Sequence, residues 1–505
     1  MSNTLTKARN AVFNFPTKIK NALLNFFKGI KKAILLFAGF FKGVADDLAK
    51  GDIFVKLSLL LMGIGYIRRK QFIKGLLVTL FQAGVVLFIL TFAMEYLPKF
   101  TTLGTVKFAS EFNFQTMRNE VNDYDHSFRI LLYGVISIIV ILSSFIIYLK
   151  NIRSVRRLEI KAREGKHINS FKEDFTSLRN ERFHITLLFI PCTGIILFTI
   201  IPLIVMILVA FTNYDQMNMP PASLFTWVGF SNFTALFTNN ITSAFGYALF
   251  KVLAWTLAWA FIATFTCYIF GIMLSLFINS EKTHFKRVWR TAFVVSIAVP
   301  QFVTLLLVRN FFANNGIVNT IAADLGITDF LKNLGMIPAT LDYIPFLTNP
   351  DWARVMIILI NIWIGVPFLM LIATGILMNI PKELYESAKI DGAGPWKSFI
   401  HVTMPYMLFV TAPFLVTQVV HNINNFNVIY LLTQDVYRTT DQMLANANAR
   451  EIDLLVTWLF RLTQEYYNYK MASVIGIMVF VVCAVFTLIA FNIVLKRNKE
   501  DKFQL

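Results

Sequence analysis

Charge is scarce in this chain. Only 15% of its 505 residues are Asp, Glu, Lys or Arg, against about 25% in an ordinary soluble domain. Hydrophobic residues make up 56%, and the mean hydropathy is +0.61. A water-soluble core cannot hide that much apolar surface, which excludes an ordinary soluble enzyme. Cysteine is nearly absent: Cys192, Cys267 and Cys483 all lie in apolar runs. A disulfide scaffold and a clustered cysteine metal site are therefore excluded. Catalytic and nucleotide motifs are missing too, with no GxxxxGK[ST], HExxH, paired CxxC or GxSxG anywhere. The chain is expected to hold no metal and no cofactor, to have no catalytic residue and to break no bond. Its start is polar and basic, without a small-residue cleavage site after a short apolar core, so no cleavable signal peptide is expected.

Acid is scarcer than base, 29 Asp+Glu against 47 Lys+Arg, for a net charge of +18. A basic chain can signal nucleic acid. Here the cations fall between apolar runs, which points to membrane topology and to no nucleic-acid partner.

About 20 apolar residues span a bilayer as a helix. Eight such runs are present, near 75–97, 129–149, 185–211, 250–278, 291–312, 353–378, 405–431 and 472–495. Backbone polar groups must be satisfied within lipid, and nothing alternates like barrel strands, so the fold class is an all-α polytopic membrane protein. Lys and Arg then set the orientation. The first 74 residues carry 14, the loop 150–184 carries ten, and the loop 212–249 carries none. The loop 279–290 has Lys282, Lys286, Arg287 and Arg290, whereas 313–352 has only Lys332. This alternation predicts a multi-pass protein of the cell membrane with both termini cytoplasmic. The segment 432–471 is the exception, with four basic residues among five acids, and parity places it outside. The charges within spans, Glu95, Lys251, Arg309 and Arg354, lie near helix ends rather than in a mid-membrane proton relay. Energy for any work is therefore expected from another subunit.

Four regions follow: an amphipathic, interfacial segment 1–74, an accessory two-helix region 75–184, a third span with a short outer loop 185–249, and a core 250–505. In the first region Phe13, Phe15, Leu23, Leu24, Phe26, Phe27, Ile30, Ile34 and Leu35 are interleaved with Lys18, Lys20, Lys28, Lys31 and Lys32. That pattern predicts a basic helix lying on membrane lipid at the anionic inner leaflet. The run 53–67 is short and stopped by Arg68, Arg69 and Lys70, which predicts an interfacial or re-entrant segment.

Between the sixth and seventh runs, residues 381–405 read Pro381-Lys-Glu-Leu-Tyr-Glu386-Ser387-Ala388, then Asp391-Gly392-Ala393-Gly394-Pro395-Trp396, and end in Val402-Thr-Met404-Pro405. A short helix is expected after Pro381, broken at Gly392 and Gly394, with Pro395 preventing smooth resumption. The product is a compact helix–turn–helix projection offering small residues and an acid. This segment resembles the EAA loop of ABC importer permeases: Glu-Ala-Ala, three residues, Gly, nine residues, then an aliphatic-x-Leu-Pro ending. Ser387 replaces the first Ala and Met404 replaces the Leu. The resemblance implies that Glu386, Ser387, Ala388, Asp391, Gly392, Ala393 and Pro405 form the coupling helix and turn that dock in an ATPase subunit.

The likeness extends over about residues 185–495. It includes Phe211-Thr212-Asn213-Tyr214, Val228-Gly229-Phe230-Ser231-Asn232-Phe233, Arg290, Pro300, Gly316-Ile-Val-Asn319, Trp363, Pro367-Phe368 and Asn424-Asn425-Phe426. Together these resemble the MalF-type maltose/maltodextrin permeases, with an ABC importer type I core. The resemblance implies import of maltose or maltodextrin-type oligosaccharides by alternating access. It implies four kinds of partner: a second, MalG-like permease, an ATPase dimer that uses the ATP, an extracytoplasmic sugar-binding protein and the oligosaccharide itself. Better-known members carry a large domain after the third helix; here that loop is only 212–249, which fits a membrane-tethered binding protein.

In the seventh run Gln418, His421, Asn422 and Asn425 fall at i, i+3, i+4 and i+7, one helical face. Such a stripe faces protein or a water-filled cavity. Two readings are open from the pattern: interhelical hydrogen-bond glue, or amides that bind sugar hydroxyls. The family resemblance maps sugar contacts onto these four and onto Gln301, Trp363, Gly365 and Phe368. His421 stands where the family carries an aromatic residue. Two rival assignments are a permease of the same class for another oligosaccharide or a glycerol-phosphate, and a lipid-linked glycosyltransferase. The latter needs an acidic cluster, and Asp435, Asp441, Glu451 and Asp453 are scattered in sequence.

Overall fold

The computed structural model describes residues 15–114, 117–237, 244–280 and 282–500. Phe13, the side chains of Phe15, Lys18, Lys20, Leu23, Leu24, Phe26, Phe27, Ile30 and Ile34, and the basic side chains of the C-terminal tail lie outside the described residues. The chain packs as two units, residues 1–205 and 206–505.

In the first unit α1 (Phe15–Lys50) is followed by two short helices, Ile53–Leu57 and Ile64–Ile67. Two long apolar helices then come, α2 (Phe72–Tyr96) and α3 (Ser127–Arg163), joined through a hairpin of β1 (Ser110–Asn113) and β2 (Arg118–Val121). A third, α4 (Phe183–Val209), starts after a short helix, Phe171–Arg179, whose Ser170 and Glu173 form a reciprocal capping box. Within the most apolar stretch of α2 only 6% is buried inside the chain. Leu76, Leu80, Leu87 and Leu90 are left for lipid.

The run 53–67 does not span; it folds back against α2 and α3. Gln82 of α2 accepts from Met62 N at 2.8 Å and donates to Leu60 O at 2.8 Å. Tyr148 and Asn151 of α3 donate to Leu59 O and Met62 O. Gln82 lies about 15 Å along α2 at 1.5 Å per residue, so the tip of the run packs alongside that helix. Its bare backbone groups are tolerable there because side chains satisfy them.

The second unit is built around α5 (Phe245–Asn279), with 44% of its most apolar stretch buried. Around it stand α8 (Pro350–Leu377), α10 (Met404–Ile423) and α12 (Tyr469–Glu500). Lipid tails are as apolar as leucine, so helices associate here by close approach and hydrogen bonds rather than by hydrophobic expulsion. Small residues supply the approach between α5 and α8. A methyl at Gly271 would sit 2.7 Å from Leu369 Cβ, and one at Gly365 would sit 3.0 Å from Cys267 Sγ. Hydrogen bonds add to it: Asn361 Nδ2 donates to Cys267 Sγ at 3.4 Å, and the Ser275 and Thr374 hydroxyls are hydrogen-bonded at 2.8 Å. Tyr268 and Thr411 do the same between α5 and α10 at 2.7 Å.

Six of the eight expected spans are continuous helices, a seventh, 405–431, is interrupted at Asn424–Phe426, and the eighth, 291–312, forms α6 (Lys286–Ala298) and α7 (Gln301–Phe311), bent by 92°. Val299 is extended at ψ 126°, as a residue before proline prefers. The other prolines behave differently. Pro202 and Pro405 each follow a π-helical turn, Ile196–Ile200 and Phe399–Thr403, and so fit without breaking the helix. Pro191 and Pro367 lie inside continuous helices.

Candidate functional site

The projection at 381–405 has the expected form, and its turn has a definite geometry. Helix α9 (Lys382–Ile390) starts after Pro381 and is capped by Asp391. Gly392 follows at φ +74°. Its N–H donates to Lys389 O at 3.0 Å, and Ala393 N–H donates to Ala388 O at 2.8 Å. This pair of bonds is a Schellman motif, which satisfies the last carbonyls of the helix and requires a left-handed residue. A second helix, Pro395–Ser398, and the π turn Phe399–Thr403 lead into α10, so Pro405 falls in the first turn of that helix. Tyr385 hydroxyl meets Thr403 Oγ1 at 3.0 Å and ties the two arms together. Glu386, Ser387, Asp391 and Gly392 are exposed; Ala388 and Ala393 are half-buried. Beside them Ile390 is 86% and Trp396 69% exposed, an apolar tip uncovered within this chain.

Two helix breaks shape the interior. One is at Val299-Pro300; the other separates α10 from α11 (Asn427–Thr433) at Asn424–Phe426. The segments after the two breaks, α7 and α11, pack along one another. The single polar face expected over Gln418, His421, Asn422 and Asn425 is not maintained, because the helix ends at Ile423. Asn422 turns toward α5 and is buried, donating to Thr264 Oγ1 at 2.9 Å, while its carbonyl accepts from Trp259 Nε1 at 3.2 Å. Asn425 lies in the break and donates to Asn422 Oδ1 at 3.5 Å. Its own Oδ1 accepts from Val428 N, at the start of α11. Gln418 is half-buried and His421 exposed. Gln301, at the first turn of α7, is exposed, as are Trp363 and Phe368 of α8. Gly365 is a contact point against Cys267. The structure thus brings Asn422 and Asn425 together, and leaves Gln301, Trp363, Phe368 and His421 accessible. Sequence reasoning missed Thr264 and Trp259, which hold Asn422; a threonine within an apolar run was the available signal.

A second constellation was not anticipated. The acids of 432–471, scattered in sequence, each hold this segment together or pair with a helix-end cation. Asp441 accepts from Lys251 Nζ at 2.6 Å and Tyr247 hydroxyl at 2.8 Å, and caps the helix Gln442–Asn446. Asp435 pairs with Arg309 at 2.9 Å. Glu451 accepts from Tyr437, from the Thr439 and Thr440 hydroxyls, and from the backbone N–H of Thr440 and Asp441, all within 2.9 Å. Arg354 donates to Glu451 O at 2.8 Å with its guanidinium over Trp255. Asp453 and Arg461 pair at 2.9 Å with both side chains 5% exposed. Three of the segment's four cations are likewise engaged: Arg450 with Thr433 O and Gln434 O, Arg461 with Asp453, and Lys470 with Asp215 at 2.6 Å.

These carboxylates predict an acid dependence. Burial alone would raise the Glu451 pKa, but hydrogen bonds from Thr439, Asp441 and Thr440 outweigh it and hold it to about 2. Burial likewise opposes, and Lys251 and Tyr247 reverse, the shift of Asp441, also to about 2. Both folded values lie below the ordinary 4.5 and 3.8. The stability they add is therefore complete above about pH 4.5 and is lost as pH falls toward 2. Limited proteolysis of the segment 432–471 in the detergent-solubilised protein should stay flat from pH 7 to 5 and accelerate below 4.5. For Glu451→Gln the segment should already be cleaved faster at pH 7; equal cleavage of the two proteins there would refute the assignment.

The described part of the loop 212–249, and the segment 313–352, hold further side-chain clamps. Asn232 Nδ2 donates to Ala210 O and Thr212 O at 2.8 and 2.7 Å, and Phe211 stacks edge-on to Phe230. Asn319 clamps Ile344 through both backbone groups.

Comparison with known proteins agrees with this architecture. Residues 268–499 match the family described as binding-protein-dependent transport system inner membrane component. The chain is 32% identical to the maltodextrin transport system permease protein MdxF of Bacillus subtilis (strain 168), over 86% of this chain and 94% of that one. It is 31% identical to the galactooligosaccharides transport system permease protein GanP of the same organism, over 84% and 93%. With the maltose/maltodextrin transport system permease protein MalF of Escherichia coli (strain K12) it shares 28% identity over 57% of this chain and 52% of that one. Relatives above 30% identity are matched almost end to end, and the conclusion is that this chain belongs to the binding-protein-dependent transport system inner membrane components, the permease subunits of ABC importers.

Proposed function

We propose that this chain forms part of the translocation path of an ABC importer for oligosaccharides of the maltodextrin class. The observation that carries the importer reading is the exposed projection of α9, closed at Gly392 and tipped by Ile390 and Trp396. A surface of that kind on a membrane protein calls for a partner. An ATPase pair fits it: ATP-driven closure would move the projection, and α8 and α10 with it. The helices then rock about a midplane site beside the breaks at Pro300 and Asn424–Phe426. Discontinuous helices place polar backbone where a substrate passes. Accessible Trp363, Phe368, Gln301 and His421 offer ring faces and hydrogen-bonding groups suited to a sugar. Asn422 and Asn425, already engaged with Thr264 and Val428, would hold the wall. A second permease, an external sugar-binding protein and an orientation with both termini cytoplasmic complete the assembly. The ATP is used by the partner subunits.

The MdxF likeness favours maltodextrin as cargo, and the nearly equal GanP likeness supports a second reading, galactooligosaccharides. Uptake of labelled maltotriose by cells with and without the gene decides between them. Loss on deletion, with competition by unlabelled maltodextrins and not by galactooligosaccharides, is expected. Unchanged maltotriose uptake would remove maltodextrin as the cargo.

A further inference from the structure

We propose that helix α1 is a membrane-surface arm that lies in the leaflet bordering the basic loop 150–184 and binds anionic phospholipid headgroups. Among the described residues, the arm is held near its C-terminal end. Phe40, Val44 and Leu48 pack against Tyr148, Leu149, Ile152 and Val155 of α3. Arg153 locks the junction. It donates to Phe40 O at 2.7 Å, lies over the Phe40 ring at 4.3 Å, and pairs with Asp47 at 3.7 Å. Gly43 leaves room for that guanidinium, since a side chain there would overlap it.

This junction sets the depth of the arm. On α3 the apolar stretch that crosses the bilayer ends at Leu149, just before Lys150, Arg153 and Arg156. Leu142, Phe145 and Ile146 on its outer face are exposed, so in a bilayer they meet acyl chains. The arm continues that surface. Its Phe41 ring lies 6.4 Å from Phe145, and Leu36, Phe40 and Phe41 form a groove with Phe145, Ile146 and Leu149. Leu36 is 67% exposed within the chain. The same acyl chains that cover Phe145 therefore cover Leu36 and Phe41.

The opposite face carries the charge. Lys28, Lys31, Lys32 and Lys42 are exposed, and residues 28–45 contain no acid. At 100° per residue these four lysines fall on one stripe, opposite the face on which Phe40 and Val44 pack. An arm with apolar groups in the acyl boundary and ammonium groups at headgroup level is held by burial and by attraction to anionic lipid together. A neutral bilayer supplies only the first.

The test uses the full chain, with the subunits that co-purify, in bilayer nanodiscs open to solvent on both faces. Leu36→Cys and Lys31→Cys variants are reacted with a charged, water-soluble maleimide, and labelling is mapped by mass spectrometry on the peptide, so the native cysteines stay. In phosphatidylcholine with roughly a third phosphatidylglycerol, the residue-36 thiol should react about tenfold more slowly than the residue-31 thiol. That protection should weaken in phosphatidylcholine alone, in roughly 0.5 M salt, which screens surface charge, and in a Lys28→Gln/Lys31→Gln/Lys32→Gln background. Phe41→Cys gives the same reading if Leu36→Cys inserts poorly. Equal labelling at positions 36 and 31 in the anionic discs would overturn the arm. Equal protection in neutral and anionic discs would overturn the binding of anionic headgroups.

Discussion

Gly392→Val should leave the permease in the membrane and stop transport. The residue sits at φ +74°, where an L side chain is strained, and β-branched ones most. No atom lies within 4 Å of where its Cβ would be, so the penalty is conformational and not a clash. Holding a non-glycine residue in the left-handed region costs roughly 1–2 kcal/mol, which lowers the population of the closed turn by about 5- to 30-fold. The two Schellman hydrogen bonds, at Lys389 O and Ala393 N, are lost with it. Under the proposed coupling role, uptake falls at least about tenfold, while ATP hydrolysis by the partner no longer tracks substrate. Gly392→Asn, which tolerates the left-handed region, should keep most activity. Membrane-fraction immunoblots alongside uptake give the readout. Normal uptake by the valine variant would sink the coupling assignment.

The largest loss of stability is expected at Asp453. Its carboxylate pairs with Arg461 and accepts from Arg450 N and the Thr457 hydroxyl, and both members of the pair are buried. Asp453→Ala removes the buried partner of the Arg461 guanidinium and leaves it only the exposed Glu465, at 3.1 Å, a change that costs up to about 3–5 kcal/mol. In detergent, the midpoint of thermal unfolding should fall by roughly 10 °C. Replacing both residues, Asp453→Ala with Arg461→Met, should recover part of the loss, because no orphaned charge remains. A midpoint for Asp453→Ala indistinguishable from wild type would show that water reaches the pair.

Much of this architecture is legible in the sequence, for identifiable reasons. Six helices read as uninterrupted apolar runs because lipid demands length and hydropathy together. The turn at Gly392 reads correctly because its requirement is local: one glycine, five residues after a small one, before Gly394 and Pro395. The run 291–312 misleads, since its composition does not register the bend. Only the geometry at Val299 and Pro300 distinguishes a kinked span from one turned by 92°. The polar stripe in the seventh run misleads in the same way, with spacing counted as though the helix continued past Ile423. The charge lattice around 432–471 is illegible for another reason. Lys251 and Asp441 are 190 residues apart and Arg309 and Asp435 are 126 apart. No window of sequence contains both partners, so acids that look scattered along the chain meet only in space.

The seam between α5 and α8 has a mechanical consequence. Gly271 and Gly365 bring the two backbones together, and Cys267–Asn361 and Ser275–Thr374 pin them at two levels. Two rods fastened at several heights cannot slide or splay independently, so they behave as one stiff beam. The projection hangs directly from the end of α8, with only Met378 to Pro381 between them. Under the proposed coupling role, a push delivered at Trp396 would reach the far end of the beam as displacement, and the flexing would be left to the two places where the helices are already cut, Pro300 and Asn424–Phe426.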